Sequence, residues 1–145
     1  LRILRIVSAV VAGIVSGGLT VAVVEVINSL VFPPPTELDL TDHAALMKWM
    51  QTLPVTAFVV VVIGWMLGGF VATYVGRRVA PDRMVQSGII PLVVFLAATV
   101  MNLFTISHPW WMWPVGLVLV LLGGGFGLVA SRPGSVAMVD GIGRE

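Results

Sequence analysis

The 145-residue chain contains no cysteine. This excludes disulfides, thiolate metal sites, iron–sulfur clusters and thiol catalysis, and leaves the compartment open. Charge is scarce as well, with 10% of residues charged. A soluble domain carries roughly 25%, so this chain has too few charged groups to cover a water-facing surface. The two signs nearly cancel, at a net +1 and a pI near 8.6. Few basic residues cluster, which argues against nucleic acid as a partner. There is no Ser-His-Asp arrangement and no pair of carboxylates within an apolar segment. The run Gly123-Gly124-Gly125-x-Gly127 is not a nucleotide loop, because it lies in an apolar stretch with no strand before it and no nearby Lys. No enzyme, metal centre or tightly bound cofactor is therefore expected.

What the chain has instead is apolar length. Hydrophobic residues make up 58% and mean hydropathy is +1.05. They fall into four blocks, over about 6–32, 55–75, 87–106 and 113–130. Each is close to the roughly 20 residues that a bilayer core requires, and lipid favours helices because backbone groups must be satisfied within the segment. The stops are Pro33-Pro34-Pro35, Gly76-Arg77-Arg78, His108-Pro109 and Ser131-Arg132-Pro133-Gly134. The spacing predicts one domain, an all-α integral membrane bundle of four transmembrane helices. The chain opens on Leu1 rather than Met, which leaves room for a short preceding piece. The first block is about twice as long as a signal core and lacks an obvious cleavage site, so it reads as a retained helix.

Orientation follows from the arginines. Arg2 and Arg5 precede the first block, Arg77, Arg78 and Arg83 lie between the second and third, and Arg132 follows the fourth. The opposite side carries only Lys48. The positive-inside rule then places both termini in the cytoplasm. Trp49, Trp110, Trp111 and Trp113 gather at the outer boundary as interfacial anchors, with Arg77 and Arg78 as their inner counterparts. Short connections predict that consecutive helices are antiparallel neighbours. In the longer outer connection, Thr41-Asp42 reads as a helix start, giving a short interfacial helix over about 42–52. That helix reads as a lid on the bundle end or, more sharply, as a gating or docking element.

Small residues mark the packing faces. They are Gly13 and Gly17 in the first helix, the stripe Gly64, Gly68, Ala72 and Gly76 in the second, and Gly123 and Gly127 in the fourth. They serve packing within the bundle or docking of a partner, and the second-helix stripe is the best docking candidate. A faint repeat pairs Asn28 with Asn102, and Gly68-Gly69-Phe70 with Gly124-Gly125-Phe126. Two such hairpins would be related by an axis along the membrane normal.

Glu25 is the most informative residue. It sits seven positions before Phe32, about 10 Å inside the helix end at ~1.5 Å per residue. An intramembrane carboxylate is costly unless paired or protonated, so it is expected to face the bundle interior. Asn28 shares its face, and Asn102 on the third helix lies at similar depth. The expectation is a buried polar cluster of Glu25, Asn28 and Asn102, with His108 at its mouth. Three uses remain open: a structural hydrogen bond that fixes helix register, binding of a lipid, quinone or pigment headgroup, or passage of protons or a small solute. His108, beside Pro109 and the tryptophans, reads as an interfacial anchor. A metal site with His43 and a loop Asp has no ligand spacing to support it.

The run Phe32-Pro33-Pro34-Pro35, then Asp39 and Asp42, Leu53-Pro54, Gly64-Trp65, Asn102 and His108-Pro109-x-Trp111, resembles a group of small bacterial inner-membrane proteins with four predicted helices. The likeness covers about residues 31–113. It implies a bacterial inner-membrane location and carries no activity. The expected function is a non-enzymatic accessory or structural subunit of a larger membrane complex, contacting lipids and other transmembrane subunits. The alternative is a small homo-oligomeric transporter or channel built around Glu25, Asn28 and Asn102.

Overall fold

The structure, a computed structural model, describes residues 1–39, 41–83 and 85–132. Every regular element among them is helical: α1 Arg2–Val31, α2 His43–Met50, α3 Val55–Val79, α4 Ile90–Thr105 and α5 Met112–Ala130. A π-helical turn, Val85–Ile89, leads directly into α4. With that turn counted into α4, four helices are long and apolar enough to cross a membrane. Pro133 and Gly134, expected to end the last helix, lie outside the described residues.

Local chemistry explains most boundaries. α1 stops one residue before Phe32, where three prolines follow. Asp42 caps α2, its carboxylate accepting from the amides of Ala44 (2.9 Å) and Ala45 (3.2 Å). The π turn accommodates Pro91, which lacks an amide proton near the start of α4. Buried Ser87 holds this turn to the preceding loop, its hydroxyl shared between the carbonyls of Ala80 (2.8 Å) and Arg83 (2.7 Å). Three boundaries differ from expectation: α1 starts already at Arg2, α2 ends at Met50, and α3 is longer at its end. α3 runs past Gly76 to Val79, because buried Arg77 continues the helix and donates from Nη1 to the Leu128 carbonyl of α5 at 2.6 Å. That bond satisfies a carbonyl in the last turn of α5, where a cation is also favoured by the helix dipole. Arg77 is thus a bridge between helices and not an exposed interfacial anchor.

α3 is the hub. Its stripe Gly64, Gly68, Ala72 and Gly76 is buried against α1. A Cβ on Gly13 of α1 would lie 2.5 Å from the Ala72 carbonyl oxygen, and one on Gly17 would lie 2.7 Å from the Gly68 carbonyl oxygen. A second small face of α3 takes α5. There a Cβ on Gly69 would approach the Val120 carbonyl to 3.0 Å, and Cβ atoms on Gly123 and Gly127 would collide with Met66 and Thr73. The proposed docking stripe is therefore already occupied within the chain.

α4 lies across the seam and not at the centre of a symmetric bundle. Pro91 and Phe95 reach the α1–α3 joint at Gly13 and Gly17, each 3.3 Å from the position a Cβ would take. Leu92 covers Gly124 of α5. The two hairpins are thus unlike: α1 packs closely along α3, whereas α4 makes only slight contact with α5. The expected duplication is not a feature of the packing, and the closest pairs are α1–α3 and α3–α5 instead of every consecutive pair. The core is apolar and built from Phe58, Val62, Trp65, Ala72, Phe95, Leu103, Met112 and Val120.

Candidate functional site

Past Gly17, the side of α1 that faces α4 opens. A Cβ placed on Gly18 would meet nothing within 4 Å. The opening becomes a groove of about 230 Å³ between α1, α3 and α4, lined by Gly18, Ala22, Glu25, Trp65, Thr99 and Asn102 among others. Helix periodicity assembles it. Gly18, Ala22 and Glu25 lie four and three residues apart on one face of α1. On α4, Ala98 and Thr99 lie four and three residues before Asn102. A buried floor of Trp65, Phe95 and Thr99 is thus edged by the small Gly18, Ala22 and Ala98 and by the polar Glu25 and Asn102.

The sequence-derived cluster is only partly assembled. Glu25 and Asn102 share the groove, but Glu25 is exposed and does not face the bundle interior. Asn28 lies outside the groove lining; its Oδ1 is buried without a hydrogen-bond partner. No hydrogen bond joins Glu25 to either asparagine among the described residues, so register is set by the glycine contacts and not by that pair. The Thr99 hydroxyl is engaged within α4, donating to the Phe95 carbonyl at 2.9 Å. The carboxyl of Glu25 and the amide of Asn102 are left to hydrogen-bond whatever fills the groove.

His108 belongs to a different cleft. With Met50, Leu53, Phe58, Ser107 and Trp111 it lines a space of about 490 Å³ at the tryptophan end. Its ring lies edge-on to Trp65, with centroids 5.8 Å apart. Trp65, 3% exposed, lines the Glu25 groove as well, so one indole separates the two spaces. Nδ1 of His108 lies 2.7 Å from the Ile106 carbonyl oxygen, so the neutral ring carries its proton there and Nε2 keeps its lone pair. Burial holds His108 below the ordinary histidine range, opposed by that hydrogen bond, which favours the charged ring. His43 is exposed at the start of α2, and no metal-binding group of three His, Asp or Glu side chains occurs among the described residues. Asp39, fully exposed nearby, is held below the usual carboxylate range by the Thr41 hydroxyl (2.6 Å) and amide (2.8 Å).

Of the interfacial aromatics, Trp110 is 82% exposed, as an anchor requires, while Trp49, Trp111 and Trp113 are half-buried against protein. Trp113 packs edge-on against exposed Phe104, with centroids 4.8 Å apart. Arg78 stacks over Tyr74 and donates to its hydroxyl at 2.9 Å. Trp65 was visible in the sequence only as the partner of Gly64. The available signal was its depth: an indole mid-span is not an interfacial anchor and must serve packing or a site.

These features define a class: an all-helical bundle with four helices long and apolar enough to cross a membrane and an open, polar-edged groove along them. Beyond the class, no family model matches the chain, and no curated protein or solved structure matches it either.

Proposed function

We propose that this protein is a non-enzymatic subunit of a larger assembly in a bacterial inner membrane, with both termini cytoplasmic, and that it docks through the α1–α4 groove. The observation that carries this reading is Glu25. It lies within a helix long and apolar enough to span a membrane, yet it is exposed on a groove whose edges carry small residues. A carboxyl open to lipid is costly, and a neighbouring transmembrane segment offering a hydrogen-bond partner removes that cost. Gly18, Ala22 and Ala98 supply the close approach that such a segment needs. The arginine distribution supports the orientation, and the apolar side-chain core supports the subunit role.

A photo-crosslinker at Ala98, which lines the groove, tests the docking directly; one at Val118, exposed on α5, is the control. Attachment to another polypeptide from Ala98 but not Val118 supports the reading. Equal attachment from both, or lipid adducts alone from Ala98, defeats it.

The alternative, a homo-oligomeric carrier around Glu25, draws on Trp65, which stands between the groove and the His108 cleft. Purified, reconstituted protein that moves solute, and loses this on Glu25→Gln, would favour the carrier over the subunit.

A further inference from the structure

At the end of the bundle opposite the tryptophans, the start of α1 and the loop after α3 enclose a cleft of about 290 Å³. Its lining is Arg2, Arg5, Ile6, Ala80, Asp82 and Arg83. Three arginines and one aspartate line it, so the lining carries a net charge of +2. The arginines at this end are not equivalent. Arg77 is committed to the Leu128 carbonyl, and Arg78 to the ring and hydroxyl of Tyr74. Arg5 is half-committed: its Nε donates to the Val79 carbonyl at 3.1 Å, and its Nη1 lies 3.8 Å from Asp82, the only ion pair among the described residues. Arg2 and Arg83 make no ion pair within the described chain.

The wall that presents Arg83 is built and not loose. The Arg83 amide donates to the Ala80 carbonyl at 3.1 Å. The fully buried Ser87 hydroxyl reaches both the Ala80 and the Arg83 carbonyls, and the Ser87 amide donates to Arg83 at 2.8 Å. Arg83 thus leaves a fixed backbone on one side of the cleft, while Arg5, fastened to Val79, fixes the other. Planar guanidinium groups supplied by two elements suit the oxygens of a phosphate better than a small halide ion, because each can donate two parallel hydrogen bonds. With the helices in a bilayer, this level of the bundle coincides with the lipid headgroups.

We infer that Arg2, Arg5 and Arg83 form a phosphate-binding site, supplied by the headgroup of an anionic lipid or by free phosphate. Asp82 moderates it by competing for Arg5.

The test uses the full chain, delipidated in neutral detergent and examined by native mass spectrometry. Phosphatidylglycerol, phosphatidylcholine and inorganic phosphate are added in separate arms. Phosphatidylglycerol is expected to be retained over phosphatidylcholine, and Arg2→Gln with Arg83→Gln is expected to lower retention by about tenfold or more. Arg78→Gln, already engaged with Tyr74, should leave retention unchanged. Asp82→Asn should raise it, a gain that misfolding cannot mimic. If millimolar phosphate displaces the lipid, the source is the free anion and the site stands. Retention that ignores Arg2 and Arg83, or that falls equally with Arg78→Gln, overturns it.

Discussion

His108, in the connection between α4 and α5, packs edge-on against Trp65 of α3 with ring centroids 5.8 Å apart and a 63° angle between planes. The geometry suits a neutral imidazole whose Nδ1–H is turned to the Ile106 carbonyl. It places the histidine against the indole that also lines the Glu25 groove.

This pair predicts a pH dependence. The folded state holds His108 below its ordinary value of 6.5, so the unfolded chain takes up the proton first. Stability from this residue is therefore full above about 6.5 and falls as the pH drops from there through the lowered folded value. Unfolding midpoints in detergent between pH 5 and 8 should show the decline, and His108→Gln should flatten it. An unchanged slope in the variant would remove His108 as the cause.

Glycines that look alike in the sequence should respond differently. A Cβ on Gly68 would sit 2.5 Å from Phe95 Cζ and 2.7 Å from Val21 Cγ2, so Gly68→Leu should abolish the folded bundle and cannot serve as a docking test. Gly123→Ala, aimed at the Met66 backbone, should cost about 1–3 kcal/mol. Gly18→Ala and Gly125→Ala, with nothing within 4 Å of the added carbon, should fall within about 0.5 kcal/mol of the parent. Unfolding by denaturant in detergent measures all four.

The α3–α5 contact contains two polar ties. The Thr73 hydroxyl lies 3.0 Å from the Gly124 carbonyl oxygen and shares its proton with the carbonyls of Gly69 and Phe70. Thr73→Val should therefore cost only about 0.6 kcal/mol, the usual worth of an interhelical hydrogen bond in lipid. Arg77→Met removes a charged donor from the Leu128 carbonyl and should cost about 1–3 kcal/mol. Hydrogen exchange should then rise in the last turn of α5 before it rises elsewhere.

For the groove, Glu25→Gln keeps a hydrogen-bonding end group of the same length, and Glu25→Leu does not. Assembly measured by native mass spectrometry should survive the first and weaken with the second. Loss with both would mean that the acidic proton or the charge is itself required.

The legible part of the site was its chemistry. Glu25 and Asn102 stand out because polar groups are rare in such helices, and their similar depth follows from counting residues. Their relation was less legible. Whether they meet depends on how far α4 stands from α1, which Pro91 and Phe95 set by packing at Gly13 and Gly17. Asn28 is predicted beside Glu25 by its three-residue spacing, and His108 at the cluster's mouth by its place after Asn102. Instead, Asn28 lies outside the groove lining and His108 lines a separate cleft against Trp65.

By itself the sequence determined the four long apolar helices, the asymmetric arginines and the Asp42 cap of α2, because hydropathy, charge and capping act within one segment. Tertiary structure alone decided that α3 is the hub, that its glycine stripe is covered by α1, and that Glu25 lies on an open groove. Between apolar helices the preference for one pairing over another rests on close fit. Several small-residue faces compete for it, and only the assembled backbone shows which faces touch.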